Sequence, residues 1–575
     1  MRSTPENTLQ EALRACRSSF MAVGFFSLFI NALMLVPTFY MLQVYGRVVT
    51  GGSLTTLVML TLIMTTLLAT MGLLEWVRSR IMTRVSTRLE VLLSHDAYRA
   101  SFETALESGG ADASAQSLRD LTGLRHFLAG NGLFTFFDAP WLPIYIAVLF
   151  MFHPWYGWMA IACAAVLLLL SFINEKITGK VLAQANKENI EVSLDTTKSL
   201  RNADAIESMG MLDALIARWS LRHKRVLLLQ SRASDRSGII TTISKTSRLL
   251  MQSLILGLGA YLAVSHEISP GLVIAGSVLL GRALAPLDLM TSSWKALISA
   301  RSQYVRLNRI FDKQRAEPER MELPVPVGNV RVENLVVCAP GSKVPAIKNI
   351  TFNAAAGTIV GIVGHSASGK STLARALMGI WRPQQGQVRL DGVDIAHWNK
   401  SQLGQYLGYL PQAIELFEGT ISDNIARFGV VDAGKVILAA RTAGVHEMIL
   451  MLPEGYDTVL GNGGVNLSAG QRQRIGLARA LYGSPRLIVL DEPNSNLDEV
   501  GERALASSLQ QAKATGALIF VIAHRASILS QLDHLLVMSA GTIGLYGPRD
   551  QVLSEMAVQR KATGQVEINT TSVSN

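Results

Sequence analysis

From residue 18 to residue 46 the chain carries no charged side chain, and from 48 to 74 it again carries none. A helix needs roughly 20 apolar residues to cross a bilayer, so each run is long enough to span one. Backbone N–H and C=O groups in hydrocarbon must be paired within the chain, which leaves helices as the natural form of such runs. A cleaved signal peptide is the competing reading of the first run. The run is too long for the apolar core of such a peptide, and no small-x-small site closes it. Gly51-Gly52 predicts a tight turn, hence a helical hairpin. Further candidate spans cover about 133–152, 155–173, 247–264 and 271–287, making six crossings. The composition, 49% hydrophobic and only 17% charged with mean hydropathy +0.29, agrees with a membrane protein.

Basic residues set the expected topology. Arg78, Arg80, Arg84 and Arg88 crowd the end of the second run, and Lys176, Lys180 and Lys187 follow the fourth. The short loops on the other side are poor in Lys and Arg, apart from Arg47. The positive-inside rule then places the N-terminus, two long helix-compatible segments (about 77–130 and 175–240) and everything after the sixth span in the cytoplasm. The net charge of +10 fits an anionic inner leaflet better than nucleic acid. Cys16, Cys163 and Cys338 are odd in number and dispersed, giving neither a disulfide framework nor a metal spacing. Arg282 lies about 11 residues into the sixth run, near mid-membrane at ~1.5 Å per residue. It either lines a cavity or belongs to a displaced helix that puts it near the inner interface beside Asp288, Lys295 and Arg301.

The remaining chain is organised around Gly364-His365-Ser366-Ala367-Ser368-Gly369-Lys370-Ser371-Thr372. It fits G-x-x-x-x-G-K-[ST] at every fixed position, after a β-branched run (358–363) and before a helical pattern (373–377). Small residues let backbone N–H groups close around phosphate oxygens, and a helix N-terminus adds its positive dipole end. Lys370 is expected on the β- and γ-phosphates and the Ser371 hydroxyl on Mg²⁺. Leu487-Ile488-Val489-Leu490 reads as a buried strand with Asp491-Glu492 at its tip, where ligands bind in open α/β sheets. Asp491 is expected to hold Mg²⁺ and Glu492 to act as general base on the attacking water. A solvated acidic turn fits such a strand end poorly.

Between these motifs lies Leu467-Ser468-Ala469-Gly470-Gln471-Arg472-Gln473-Arg474, which resembles the signature of ATP-binding-cassette (ABC) ATPases. By that resemblance Gln412 matches the Q-loop glutamine, a nucleotide and Mg²⁺ contact. Ser495-Asn496-Leu497-Asp498 matches the D-loop, with Asp498 at the ATP site, and His524 matches the switch histidine, a catalytic residue. Ser468, Gly470 and Gln471 are the signature's ATP contacts. Two departures stand out. Ala469 replaces the usual second glycine, and 336–340 lacks the aromatic that stacks on adenine in many cassettes. The implied fold is a membrane α-helical bundle (six transmembrane helices, the type IV ABC exporter fold) followed by an α/β P-loop ABC ATPase domain. The expected division is a leader (1–17), a transmembrane domain (18–311), a linker (312–329), the ATPase (330–560) and a disordered tail (561–575). Coupling regions are expected near 110–120 and 198–212.

The resemblance narrows further. Residues 37–45 (PTFYMLQVY), 138–143 (DAPWLP), 281–287 (GRALAPL), 416–428 and 491–498 are similar to type I secretion ATPases of the alkaline-protease exporter (PrtD) kind. That implies an ATP hydrolase in the bacterial inner membrane exporting unfolded proteins with a C-terminal signal, such as proteases, lipases, haem-binding or surface proteins. It also implies a homodimer, since the signature of one cassette completes the phosphate site of another. A periplasmic adaptor (membrane fusion protein) and a TolC-like outer-membrane channel are the further partners implied, with ATP and Mg²⁺ as cofactors and no role for nucleic acid. The 17 residues before the first span leave no room there for the peptidase-like domain of bacteriocin and haemolysin-type exporters. An exporter of lipid or hydrophobic small molecules would share the fold and the ATPase.

Overall fold

The structure, a computed structural model, describes residues 8–109, 115–200, 202–315, 323–461, 465, 467–523 and 526–562. The chain divides into two compact units, Met1–Ala105 with Ala111–Glu317 and Leu106–Gly110 with Pro318–Asn575. Among the described residues six helices are long and apolar enough to cross a membrane: Arg17–Gly51, Leu54–Glu107, Gly132–Phe152, Pro154–Leu200, Leu212–Val264 and Pro270–Met290. The first runs on to Gly51, so the second begins at Leu54 rather than at 48. The first span is itself jointed into Arg17–Leu33, Val36–Gln43 and a π-helical turn Val44–Val48. Pro37 accounts for the first joint, because its ring lacks an N–H and clashes with the carbonyl one turn back. Pro140 and Pro143 likewise break the third span around a 3₁₀ turn at Ala139–Trp141.

The helices Leu54–Glu107, Pro154–Leu200 and Leu212–Val264 contain 54, 47 and 53 residues. A bilayer accounts for about 20 of each, so they extend roughly 40–50 Å beyond it. The last two are joined through a short helix, Ala203–Ser208, inside the segment expected at 198–212. Most of the companion segment near 110–120 is outside the described residues or folds into the helix Gln116–Ala129. The sixth helix continues past Pro286 to Arg315, through the expected end of its apolar run. Arg282 is exposed on this helix, opposite the buried Ala283, Leu284 and Leu287.

The arginine cluster after the second span is not uniformly a surface feature. Arg78 is only 7% exposed, and its Nη1 pairs with Asp138 Oδ1 at 3.0 Å and donates to Ser27 Oγ at 3.0 Å. Asn31 Nδ2 donates to the same Asp138 oxygen at 2.8 Å, and Tyr145 OH donates to the Asn31 carbonyl at 3.0 Å. The guanidinium lies 4.4 Å from the centre of the Phe134 ring. One buried ion pair thus ties the first three spans together. Removing one partner of such a pair leaves an uncompensated charge. Asp138→Ala is expected to destabilise the membrane unit by about 3–5 kcal/mol, seen as a lowered unfolding midpoint in detergent; an unchanged midpoint contradicts this.

Among the described residues the second unit holds twelve strands. A four-stranded antiparallel sheet is built from β1 (Val330–Cys338), β2 (Pro345–Ala354), β4 (Gln385–Leu390) and β5 (Val393–Asp394), in the order β2-β1-β4-β5. The six-stranded sheet uses β3 (Ile359–Gly364), β6 (Leu407–Leu410), β9 (Leu487–Asp491), β10 (Leu518–Ile522), β11 (His534–Ser539) and β12 (Thr542–Pro548). Its order is β12-β11-β3-β10-β9-β6, parallel except for β12. A two-residue pair, β7 (Gly419–Thr420) and β8 (Val459–Leu460), completes the set. Strands β9 and β10 are buried on both faces, which is why they read as unbroken apolar runs. Their alternate residues feed two cores: Ile488, Leu490, Ile519 and Val521 on one side, Leu487, Val489, Leu518 and Phe520 on the other.

Candidate active site

Four parallel strands end at one edge of the six-stranded sheet, and each leads into one of the motifs read from sequence. β3 runs into 364–372, β9 ends in Asp491-Glu492, β6 leads to Gln412, and β10 leads through Ala523 towards His524. His524 lies outside the described residues. The carboxyl edge of a parallel sheet is where α/β folds bind ligands.

The phosphate-loop backbone takes up conformations that few residues tolerate. Gly364 has φ +154°, and a Cβ there would lie 2.3 Å from the Met538 carbonyl oxygen. Ala367, with φ +62°, and Gly369, with φ +102°, turn successive N–H groups into a concave nest. His365, Ser366 and Ala367 are exposed, while Ser368, Lys370 and Thr372 are buried at the start of the helix Lys370–Leu377. Lys370 Nζ donates to the Gly364 and His365 carbonyls, each at 2.9 Å. Burial pushes its ammonium pKa down, while the nearby Glu492 and Asp491 carboxylates oppose the shift.

Asp491 is 1% exposed. Its Oδ1 accepts from Ser371 Oγ at 3.3 Å, and its Oδ2, though buried, has no partner. Burial, reinforced by Glu492, pushes its carboxyl pKa up, against the Ser371 bond and the positive charge of Arg375 and Lys370. Ser368 Oγ is a second buried atom without a partner. An orphaned carboxylate oxygen beside a hydroxyl is a donor set that fits Mg²⁺, which takes one or two carboxylates together with substrate phosphates. Glu492 sits at φ +53°, a strained left-handed conformation for a non-glycine residue. Its N–H donates to the Ile522 carbonyl at 3.2 Å, and its Oε2 accepts from Gln412 Nε2 at 3.1 Å.

The signature residues form a separate group. Ser468 caps the helix Ala469–Leu481: its Oγ accepts from the Gln471 N–H at 3.2 Å, and its own N–H donates to Gln471 Oε1 at 2.8 Å. This reciprocal box fixes the entry of the helix. Gly470 is required by close approach, since a Cβ there would lie 2.8 Å from the Asn496 carbonyl oxygen. Asp498 caps the next helix, Glu499–Ala514, accepting from the Gly501 N–H at 2.8 Å. Among the described residues, no hydrogen bond joins Ser468, Gln471 or Asp498 to the phosphate loop. In the region without an aromatic, Val336, Val337 and Cys338 end β1, and Val337 is in the core.

Two residues to which sequence reasoning gave no role hold this arrangement. Gln473, 2% exposed, donates to the Pro493 and Glu492 carbonyls and accepts from the Asn496 N–H at 3.0 Å. It thereby fastens the signature helix to the turn after β9. Its signal was positional, because it shares the buried helix face with Gly476, Leu477 and Ala480. Arg427 donates to the carbonyls of Gly404 (2.7 Å), Arg479 (3.0 Å), Ala480 (3.2 Å) and Tyr482 (3.0 Å). It satisfies the carbonyls left open at the C-terminal end of the signature helix. Burial, with Arg479 nearby, lowers its pKa to about 10.

A family model described as "ABC transporter" matches residues 347–495, and one described as "ABC transporter transmembrane region" matches residues 20–287. A solved structure of a bacterial Atm1-family ABC exporter with ATP bound superposes with a TM-score of 0.81 at 22% identity, covering 96% of this chain and 99% of that one. Fold and site therefore define a membrane-embedded ABC transporter that binds and hydrolyses nucleotide. The type I secretion system ATP-binding protein PrsD of Rhizobium meliloti (strain 1021) is 40% identical over 546 residues, 95% of this chain and 94% of its own. The cyclolysin secretion/processing ATP-binding protein CyaB of Bordetella pertussis is 28% identical over 91% of this chain and 74% of its own. The leukotoxin translocation ATP-binding protein LktB of Mannheimia haemolytica is 26% identical over 96% and 79%. The chain belongs to the type I secretion ATP-binding protein family of ABC transporters.

Proposed function

We propose that this chain is the ATP-driven component of a type I secretion system in the bacterial inner membrane. It exports unfolded proteins carrying a C-terminal signal, through a periplasmic adaptor and a TolC-like outer-membrane channel. The observation that carries this reading is the 40% identity to a type I secretion protein along 95% of the chain. The separation of Ser468 from the phosphate loop within one chain supports a homodimer, in which each signature faces the partner's loop.

In the proposed cycle the loop N–H groups and Ser368 Oγ hold phosphate oxygens, and Lys370 exchanges its two carbonyl partners for the β- and γ-phosphates. Ser371 and Asp491, with Gln412 as a further ligand, would hold Mg²⁺, which when bound would supply positive charge against the phosphates. Gln412 orients the Glu492 carboxylate, which takes a proton from the attacking water. Ser468 and Gly470 of the opposite cassette close on the γ-phosphate, with Gln471 locking Ser468 and Asp498 completing the wall. His524 acts beside the γ-phosphate. Closure of the two cassettes drives the helical segment around 198–212 and switches the pathway outward.

The reading is tested by ATP turnover of the purified chain. A C-terminal segment of a co-expressed secreted protein is expected to change the rate, and small hydrophobic molecules are expected to leave it alone. The opposite pattern would move the substrate to lipids or hydrophobic small molecules.

A further inference from the structure

A cavity of about 360 Å³ opens within the membrane unit, lined by residues of three helices, and the nucleotide cycle does not use it. Its lining includes Asn174 and Thr178 from the helix Pro154–Leu200, Ser237 and Thr241 from Leu212–Val264, and Trp294 and Lys295 from Pro270–Arg315. Three independent counts fix its depth. About 20 helical residues cross the hydrocarbon, so counting from Pro154, Val264 and Pro270 puts the inner boundary near 174, 244 and 290. At ~1.5 Å per residue the lining then lies at that boundary and up to roughly 15 Å past it, where headgroups begin.

The cavity's chemistry is donor-rich. The Trp294 indole Nε1–H is buried without a partner. Asn174 is 1% exposed; its amide oxygen accepts from Thr178 Oγ1 at 3.0 Å, which leaves the amide nitrogen as a further donor. Among the described residues Lys295 supplies the one ionic group on the lining, and none is a carboxylate. The nearby Asp288 is engaged by Arg248 at 2.9 Å and by Ser244 at 2.9 Å. Exposed Lys176, Lys180 and Lys245 stand in the same layer. An indole N–H, an amide N–H₂ and an ammonium on a described lining with hydroxyls but no carboxylate call for an acceptor-rich anion of single charge. At headgroup depth that is a phosphodiester, in line with basic pockets between spans that take up phospholipid headgroups.

We propose that this cavity binds the phosphate of an anionic phospholipid of the cytoplasmic leaflet, with Lys295 as its counter-ion and Trp294 and Asn174 as donors. The choice of leaflet rests on the proposed cytoplasmic position of the ATPase, but the binding test uses no nucleotide and stands apart from that reading. The full chain in detergent is titrated with phosphatidylglycerol and the bound lipid counted by native mass spectrometry, for the wild type, Lys295→Gln and Trp294→Phe. Lys295 is exposed and neither residue belongs to the nucleotide site, so both variants are expected to keep wild-type ATP turnover. One lipid site per chain is expected to weaken by about fivefold in Lys295→Gln, to weaken also in Trp294→Phe, and to withstand added inorganic phosphate. Equal lipid binding by all three chains overturns the proposal. So does displacement by inorganic phosphate, which would make this a soluble-anion site, or displacement by a secreted protein's C-terminal segment, which would make it a polypeptide site.

Discussion

Glu492→Gln is expected to lower ATP turnover by about 10²–10⁴-fold, the usual contribution of a positioned general base, while leaving ATP binding intact. The substitution keeps the size of the side chain and the Gln412 contact within reach, but removes the proton acceptor. The position is built for the task. Its backbone is held at φ +53° by the bond from its N–H to Ile522 at the end of β10, and Gln473 grips the carbonyls of Glu492 and Pro493 from below. Strain of this kind persists only where the surroundings over-determine it. Turnover and nucleotide binding measured on the same preparation check the point. A variant hydrolysing ATP at the wild-type rate would remove Glu492 from the role of base.

Lys370→Ala is expected to act one step earlier, weakening nucleotide binding by about 10–100-fold, as loss of a hydrogen bond to a charged group does. Lys370 already sits over the loop on the Gly364 and His365 carbonyls. The alanine variant loses both the loop's internal tie and the cation meant for the phosphates. No aromatic stands at 336–340 to stack on adenine, so phosphate contacts are expected to carry more of the affinity here. Equilibrium binding of ATP to the two chains decides it. Near-equal affinities would show that the base and sugar, not the phosphates, dominate.

The two variants thus separate binding from chemistry. The Arg78–Asp138 pair belongs to neither, and its loss is expected to appear as stability before it appears as turnover.

What was legible in the sequence follows from which forces act locally. The phosphate loop, the Asp491-Glu492 pair and the signature were readable because close backbone approach and strand-end placement restrict residue types over a few consecutive positions. The six spans were readable because hydrocarbon excludes charge over some 20 residues at a time. Their joints were not read: Pro37 and Pro140 lie inside apolar runs that hydropathy counts as continuous, and the π-helical turn at Val44–Val48 leaves no compositional mark. Arg78 stands in the sequence only as one of four arginines that mark the cytoplasmic side. Its partners Ser27, Asn31 and Asp138 come from distant parts of the chain, and only the packed spans bring them together. Gln473 and Arg427 escaped notice because their partners are backbone carbonyls, which no sequence pattern displays.

The most direct test of the whole account compares, by mass spectrometry, the medium of cells carrying the wild-type chain with that of cells carrying Glu492→Gln. The account predicts that one or a few proteins with intact N-termini disappear from the medium of the variant. An unchanged secreted set, with the chain expressed in both, would contradict it.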